Sequence, residues 1–180
     1  MDEADALERL VANRRNPGPM TDLPEASRPP TEDAAYGVQD KLAAALAGAG
    51  WGVPCGYTIG CTTEVMQRFL GIDHPCAGRL HALRTHRSGV RLGFSRYARV
   101  GVECELAVLL ERPLGARPVT RQGAIDAVGQ CMAAIEVVDA RYADYASVTT
   151  PTLIADDFFQ TDAVLGHGVS LDELPALDTI

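Results

Sequence analysis

Residues 102–108 read VECELAV and residues 134–139 read AIEVVD. These two apolar stretches predict the strands around which the rest of the fold is arranged. Both are typical of buried β-strands, yet both carry carboxylates where an apolar strand has none. Side chains two residues apart on a strand share a face, so Glu103 and Glu105 point the same way. Burying an unpartnered carboxylate costs several kcal/mol, so we expect Glu103, Glu105 and Glu136 to have a partner.

Two kinds of partner are open for these glutamates. Lys41 is the only lysine of the chain, which favours a bound cation as the partner. An all-oxygen ligand set suits a hard divalent ion, Mg²⁺ or Mn²⁺ before Zn²⁺. The alternative is that Glu103 and Glu105 line a solvated face of a sheet, or that arginines neutralise them. The arginines considered as partners are Arg99, Arg112 and Arg141.

Composition restricts the class of protein. The chain has 180 residues, 47% hydrophobic and 22% charged, as expected for one soluble globular domain. Its net charge of -8 argues against nucleic-acid binding, which normally requires a basic patch. No apolar run has the length of a membrane span, and the acidic start is unlike a signal peptide. Five cysteines without a CxxC motif indicate free thiols in a reducing cytoplasm.

Helix caps and hydrophobic periodicity predict the order of the elements. Thr31, Thr62 or Thr63, and Thr120 are candidate N-caps, and Gly71 is a candidate helix stop. The predicted helices are 4–13, a second that runs from the Thr31 cap to a glycine stop at 48–52, 64–70 and 121–133. The predicted strands are 53–60, 79–84, 89–94, 100–111 and 134–139. The last helix is a crossover that we expect to bring the strand of Glu136 beside the strand of Glu103. Carboxylates from two neighbouring strands would then form one face of an octahedral site and leave positions for water and substrate.

Short motifs along the chain also carry a resemblance to a known family. They occur, in order, at 36–39, 56–62, 66–67, 70–72, 75–78, 103–107, 134–141, 155–157 and 164–166. With these motifs the chain resembles the 2-keto-4-pentenoate hydratase and 4-oxalocrotonate decarboxylase group of the fumarylacetoacetate hydrolase superfamily. The resemblance implies an α+β fold, with a helical N-terminal part packed on a curved mixed β-sandwich or roll. Residues 1–52 would be the helical segment and 53–180 the metal-binding part of one structural unit, in a C-terminally truncated member of the group.

The resemblance also implies roles for individual residues. Glu103, Glu105 and Glu136 would be the ligands of a divalent metal, Mg²⁺ or Mn²⁺. Thr58, which stands where many relatives have lysine, and Cys76 would bind substrate. Asp157 would act as a general base or orient the substrate, and the alternative is an aspartate that caps a loop.

The implied activity is that of a lyase. We expect a metal-dependent hydratase of a 2-hydroxy-2,4-dienoate that gives a 4-hydroxy-2-oxo acid in aromatic catabolism. The alternatives are a 2-oxo-3-enedioate decarboxylase on the same fold, a hydrolase that cleaves a C–C bond in an acylpyruvate, and a truncated non-catalytic subunit. The hydrolase would need a histidine–acid pair, which the sequence does not place. We expect a homo-oligomer in the cytoplasm that binds a small 2-oxo or 2-hydroxy acid, with neither nucleic acid nor membrane as a partner.

Overall fold

The structure is a computed structural model that describes residues 1–115 and 119–174. Its helices are α1 Glu3–Arg15, α2 Glu32–Leu46, α3 Glu64–Leu70, α4 Arg121–Ala127 and α5 Thr150–Ala155. Its strands are β1 Pro54–Gly60, β2 Cys76–His81, β3 Thr85–Arg87, β4 Val100–Leu110, β5 Val128–Asp139 and β6 Gln160–Ser170. Helices and mixed sheets together confirm the α+β class. None of the helices within the described ranges is long and apolar enough to cross a membrane.

The helices begin at the residues that the capping rules indicate. The side chains of Thr31, Thr63 and Thr120 each accept a hydrogen bond from a backbone N–H in the first turn of α2, α3 and α4. Gly71 ends α3 in the left-handed conformation at φ 69°, which a glycine adopts without steric cost. The N-cap predictions for α2 and α4 are therefore confirmed, and of the two candidates for α3 Thr63 is the cap.

The main apolar core lies among the helices of the N-terminal half and the short helix α5. Leu10 of α1, Val38 and Leu42 of α2, and Ile154 of α5 are completely buried against one another. Their burial removes a continuous apolar surface from water and fixes α5 against α2. The segment after α5 is thereby held beside the two-stranded sheet.

The strands form two sheets. β1 and β2 make an antiparallel pair, and the larger sheet has the order β3-β6-β5-β4. Strand β5 is antiparallel to both of its neighbours, whereas β3 is parallel to β6. The strands of Glu103 and Glu136 are thus adjacent, as expected. They are antiparallel, however, and the helix between them is the short α4 rather than a long crossover helix.

Three predicted element boundaries are wrong. The helix predicted over 121–133 ends at Ala127, and β5 begins at Val128, because a strand between β4 and β6 gains backbone hydrogen bonds on both sides. The strand predicted over 89–94 is a turn followed by a short 3-10 segment at Phe94–Arg96. The strand predicted over 79–84 begins at Cys76 and ends at His81, because its partner β1 determines its register.

Strand β4 is exposed, which corrects the prediction that it is buried. Among the described strands, β5 is its one neighbour, so β4 forms an edge of the larger sheet. The side chain of Val102 is 70% exposed and that of Leu106 is 65% exposed. An apolar edge strand of this kind is a surface that readily pairs with another chain.

A buried ion network joins α1 to the segment after α5. Arg14 Nε lies 2.8 Å from Asp156 Oδ1, and Arg141 Nη2 lies 2.6 Å from Asp156 Oδ2. All three side chains are 1% exposed. Burial acts to raise the pKa of Asp156, but the two guanidinium groups outweigh it and hold the pKa below its ordinary value. This network connects residues far apart in sequence at the point where the chain turns toward Asp157.

Candidate metal centre

Three carboxylates converge on one face of the larger sheet. Glu103 of β4 lies directly opposite Glu136 of β5, and Glu105 follows two residues later on the same face. One carboxylate oxygen from each of the three lies within 4.8 Å of the other two. The convergence is a consequence of register, because a slip of one residue would turn Glu136 to the opposite face.

The cluster brings two negative charges close to its most buried member. Burial raises the pKa of Glu136 to about 7, and the carboxylates of Glu103 and Glu105 add to the increase. A hydrogen bond from Thr58 acts in the opposite direction. Glu103 and Glu105 themselves are exposed, so the premise that all three side chains enter an apolar layer is wrong. Glu136 is half-buried, and it alone of the three comes near the burial that the sequence predicts.

The three candidate arginine partners bind other groups. Arg99 donates to the carbonyl oxygen of Tyr142, and Arg112 donates to the backbone of Asp126. Arg141 pairs with Asp156 in the buried network. None of the ion pairs among the described residues joins Glu103, Glu105 or Glu136 to an arginine or lysine.

The donor set of the cluster fits a hard divalent cation. Three carboxylates supply only oxygen ligands, which Mg²⁺, Mn²⁺ and Ca²⁺ prefer over softer donors. Mg²⁺ binds oxygen ligands at about 2.0–2.1 Å, and the 4.8 Å within which the three oxygens lie is close to the spacing that one such ion requires. A cation there would also offset the repulsion from Glu103 and Glu105, which adds to the effect of burial in raising the pKa of Glu136.

A cavity of about 470 Å³ adjoins the carboxylates. Glu105 and Glu136 form part of its wall, and Thr58 of β1 covers them from the second sheet. Thr58 Oγ1 donates a hydrogen bond to Glu136 Oε2 at 3.2 Å. The volume lies in the range of small-molecule sites, and charged and apolar groups share its lining.

Thr58 and Cys76, the two predicted substrate-binding residues, lie in different environments. Thr58 lines the cavity, but its hydroxyl is bound to Glu136. Cys76 is 1% exposed and packs in the main apolar core, and burial raises the pKa of its thiol to about 11. The structure therefore does not bring Cys76 to the cavity, and its position matches a small buried apolar residue.

Asp157 lies next to strand β2 of the two-stranded sheet. Its carboxylate accepts a hydrogen bond from the backbone N–H of Arg79 at 2.9 Å and is 3.9 Å from the guanidinium of Arg14. Burial raises its pKa to about 6, against the opposing effects of Arg14 and the backbone hydrogen bond. The side chain is 1% exposed, so it has no open path to the cavity in this conformation. A catalytic role for Asp157 stays a prediction.

The backbone around Asp157 is a feature that sequence reasoning missed. Asp157, Phe158 and Phe159 have φ values of 53°, 46° and 72°, three successive non-glycine residues in the left-handed region. Such conformations cost about 1–3 kcal/mol each and persist where the surroundings enforce them. Gly78 contributes to this packing, because a Cβ there would lie 3.1 Å from the backbone oxygen of Asp157 and 3.0 Å from Thr58 Cγ2.

A histidine–acid pair exists, but on the other face of the larger sheet. His86 Nε2 lies 2.7 Å from Asp162 Oδ1. Asp162 is opposite Val137 in the β5–β6 pair, whereas Glu136 is opposite Ala163, so the two acidic side chains leave the sheet on opposite sides. This pair is therefore not placed to activate water at the carboxylate cluster.

Comparison with known proteins relates the chain to named enzymes. No family model matches it. A 2-keto-4-pentenoate hydratase of Burkholderia vietnamiensis (strain G4 / LMG 22486) is 38% identical over 90 residues, which are 50% of this chain and 34% of the relative. 2-Keto-4-pentenoate hydratase 1 of Dechloromonas aromatica (strain RCB) is 29% identical over 160 residues, 89% of this chain and 59% of the relative. The chain thus spans about a third to three fifths of the length of these relatives.

A solved structure shares the fold. It is a 4-oxalocrotonate decarboxylase from Pseudomonas putida G7, complexed with magnesium and adipate, with a TM-score of 0.85 and 21% identity. The match covers 96% of this chain and 65% of that chain. The predicted resemblance to the 2-keto-4-pentenoate hydratase and 4-oxalocrotonate decarboxylase group is therefore confirmed, in sequence for the hydratases and in fold for the decarboxylase, over the part of their length that this chain spans.

Proposed function

We propose that this chain carries the metal centre of a hydro-lyase that adds water to a 2-hydroxy-2,4-dienoate of the 2-keto-4-pentenoate type. The product is a 4-hydroxy-2-oxo acid, and the reaction belongs to aromatic catabolism. The observation that carries the proposal is the convergence of Glu103, Glu105 and Glu136 within 4.8 Å, beside a cavity of about 470 Å³. The names of the curated relatives support the reaction, and a solved neighbour complexed with magnesium supports the ion.

The chain's own residues divide the work at this centre. Glu103, Glu105 and Glu136 would hold Mg²⁺ or Mn²⁺, and the ion would supply a Lewis acid for the carboxylate and C2 oxygen of the substrate. Thr58 fixes one carboxylate by its hydrogen bond, and the cavity wall orients the carbon chain of the substrate. Asp157, with its pKa raised to about 6, would be suited to moving a proton near neutral pH if its segment opened toward the cavity.

A decarboxylase acting on a 2-oxo-3-enedioate is the second candidate. The fold match with a TM-score of 0.85 to a 4-oxalocrotonate decarboxylase favours it. The two reactions are separated by incubating the chain and Mg²⁺ with 2-hydroxypenta-2,4-dienoate and, separately, with 2-oxohex-3-enedioate. A hydratase consumes the diene absorbance of the first compound, and a decarboxylase releases CO₂ from the second. If neither rate exceeds that of Mg²⁺ alone, the proposed activity is wrong and the result favours a non-catalytic subunit.

Replacing Thr58 tests the proposed metal site without relying on turnover. Thr58→Val removes the hydrogen bond to Glu136 at nearly constant volume, and we expect Mn²⁺ to bind about tenfold more weakly, as for other residues that orient a ligand. Thr58→Ser keeps the hydroxyl and is expected to keep the affinity within about twofold. Titration calorimetry measures both. Unchanged affinity in the valine variant would show that the hydrogen bond does not support the site.

The wider architecture of the protein is also part of the proposal. The buried pair of Arg14 with Asp156 supports residues 1–52 and 53–180 as one structural unit. The two described sheets are compatible with the curved sandwich or roll that the resemblance implies. The five free cysteines support the prediction of a cytoplasmic protein.

A homo-oligomer is proposed because β4 is an exposed apolar edge. Val102, 70% exposed, is a suitable position for a test, since a charge there opposes edge-to-edge pairing. We expect the unmodified chain to elute as a dimer or larger species in size exclusion with light scattering. Val102→Glu should shift it toward the monomer. A monomer in the unmodified chain contradicts the proposal.

A further inference from the structure

A strongly basic segment lies inside this acidic chain. Residues 79–99 contain six arginines and two histidines but neither aspartate nor glutamate. With neutral histidines the segment contributes +6 to a net charge of -8, so the remaining residues carry -14. One molecule therefore has surfaces of opposite sign, which attract each other between two copies although the molecules as wholes repel.

The six arginines of this segment fall into two groups. Three are held by other groups of the fold, namely Arg79 by Asp40, Arg84 by Asp162 and Arg99 by the carbonyl oxygen of Tyr142. Arg87, Arg91 and Arg96 are exposed, and none of the ion pairs among the described residues includes them. This second group presents its charge to the solvent.

The exposed arginines lie on a loop whose two ends are joined by one buried carboxylate. We call residues 86–97 the arginine loop. At its start, His86 Nε2 lies 2.7 Å from one carboxylate oxygen of Asp162, and at its end Tyr97 Oη donates to the other oxygen at 3.0 Å. Asp162 is completely buried. Because its ends are fixed, the loop loses less conformational entropy when a partner binds than a loop with free ends would.

The arginine loop combines its charge with exposed apolar surface. Phe94 is 79% exposed and Val90 is 39% exposed. In the sequence they alternate with the three exposed arginines, in the order Arg87, Val90, Arg91, Phe94, Arg96. Aromatic side chains and arginines are enriched in protein–protein interfaces and contribute much of the binding energy there.

A second copy of this chain fits the arginine loop better than a nucleic acid or a membrane does. A nucleic acid or an anionic membrane is negative over its whole surface, so either would repel the charge of -14 on the rest of the chain. Another copy carries both signs and can meet the loop with an acidic part of its surface alone. Exposed acids of the helical segment that are in none of the described ion pairs include Glu8, Glu25 and Asp33.

We propose that the arginine loop is a contact through which one copy of this chain binds an acidic surface of a second copy. The contact is separate from the metal centre and from the apolar edge of β4, so it goes beyond the proposed function. It differs from an apolar contact in its response to salt.

The salt dependence of association is the first test. Raising NaCl from about 0.1 M to about 1 M shortens the Debye length from about 10 Å to about 3 Å. The attraction between the arginine loop and acidic residues is then screened, and we expect the dissociation constant of the 180-residue chain to rise about tenfold or more in sedimentation equilibrium. A purely apolar contact responds in the opposite way, because salt removes the repulsion between two chains of charge -8. Association that is unchanged or stronger at high salt would overturn the proposal.

Charge reversal on the loop is the second test. The double variant Arg91→Glu with Arg96→Glu should raise the dissociation constant at about 0.1 M NaCl by about tenfold or more. Arg15→Glu with Arg121→Glu is the control, since it changes the net charge equally at exposed arginines outside the segment and should weaken association by no more than about twofold. Arg87 stays unchanged, because its pairing with Leu165 places it on the cavity side of the larger sheet. Unfolding temperatures check that both variants fold.

These measurements give clear grounds for rejection. Equal weakening in both double variants, or none in the loop variant, would show that the arginine loop is not the contact. A parent chain that is monomeric at low salt would also overturn the proposal. Gel shift of a single-stranded oligonucleotide and sedimentation with phosphatidylserine vesicles would then identify the occupant, if Arg91→Glu with Arg96→Glu abolishes binding to one of them.

Discussion

Glu136→Gln is expected to weaken Mg²⁺ and Mn²⁺ binding by more than about 100-fold. Removing a residue that only hydrogen-bonds to a metal ligand already lowers metal affinity by about 10- to 100-fold, and removing a ligand's charge should lower it further. The amide has nearly the shape of the carboxylate, so the strand register and the hydrogen bond from Thr58 can persist. What is lost is the charge at the most buried of the three proposed ligands. Calorimetry, or the electron paramagnetic resonance signal of free Mn²⁺, measures the affinity directly.

The same substitution is expected to stabilise the metal-free protein at pH 8, by an amount on the order of 1–3 kcal/mol. The pKa of Glu136 in the folded chain is about 7, against an ordinary value of 4.5. Below pH 4.5 the group is protonated in the folded and the unfolded chain, and no penalty arises. As the pH rises from 4.5 through 7, the unfolded chain ionises first, so the folded state loses stability and the loss is complete above pH 7.

Metal and a matched variant complete this experiment. Mg²⁺ should raise the unfolding temperature of the parent above pH 7 and have little effect on Glu136→Gln, and a chelator should reverse the effect. Glu111→Gln is the control, since Glu111 follows β4 and lies outside the carboxylate cluster. If Glu136→Gln retains the affinity of the parent, or Glu111→Gln loses as much, the three glutamates are not the metal ligands.

The sequence predicts the parts of this structure that depend on local rules. The N-caps at Thr31 and Thr120 follow from hydroxyl groups placed before helical periodicity. The shared face of Glu103 and Glu105 follows from the two-residue period of a strand. Each of these needs only a few neighbouring residues, so each can be recognised without knowing the rest of the fold.

Other features depend on contacts between distant segments and could not be predicted in this way. The helical signal over 121–133 is overridden from Val128 onward, where strands on both sides supply hydrogen bonds. The direct pairing of Glu103 with Glu136 is set by the register of β4 on β5. The hydrogen bond from Thr58 joins residues 78 positions apart. The apolar composition of β4 predicts that it is buried, but composition does not distinguish a central strand from an edge strand.

The buried ion network should show the largest effect on stability. Asp156→Ala removes the shared partner of Arg14 and Arg141 and leaves two guanidinium groups buried among protein atoms. Breaking a buried ion pair on one side costs about 3–5 kcal/mol, and we expect a loss in that range from urea unfolding at pH 7. Asp156→Asn, which keeps one hydrogen-bond acceptor, should lose less.

An exposed ion pair provides the matched comparison for Asp156→Ala. Glu64 and Arg68 lie 3.1 Å apart on α3, and both side chains are exposed, so Glu64→Gln should change the stability by less than about 0.5 kcal/mol.

The pH dependence of stability is a second test. The pKa of Asp156 is lowered in the folded chain, so its contribution is present above the ordinary value of 3.8 and is lost as the pH falls through the lower folded value. A loss below about 1 kcal/mol in Asp156→Ala would mean that the two arginines find other partners. In that case the network would not be what fixes α1 to the segment that carries Asp157.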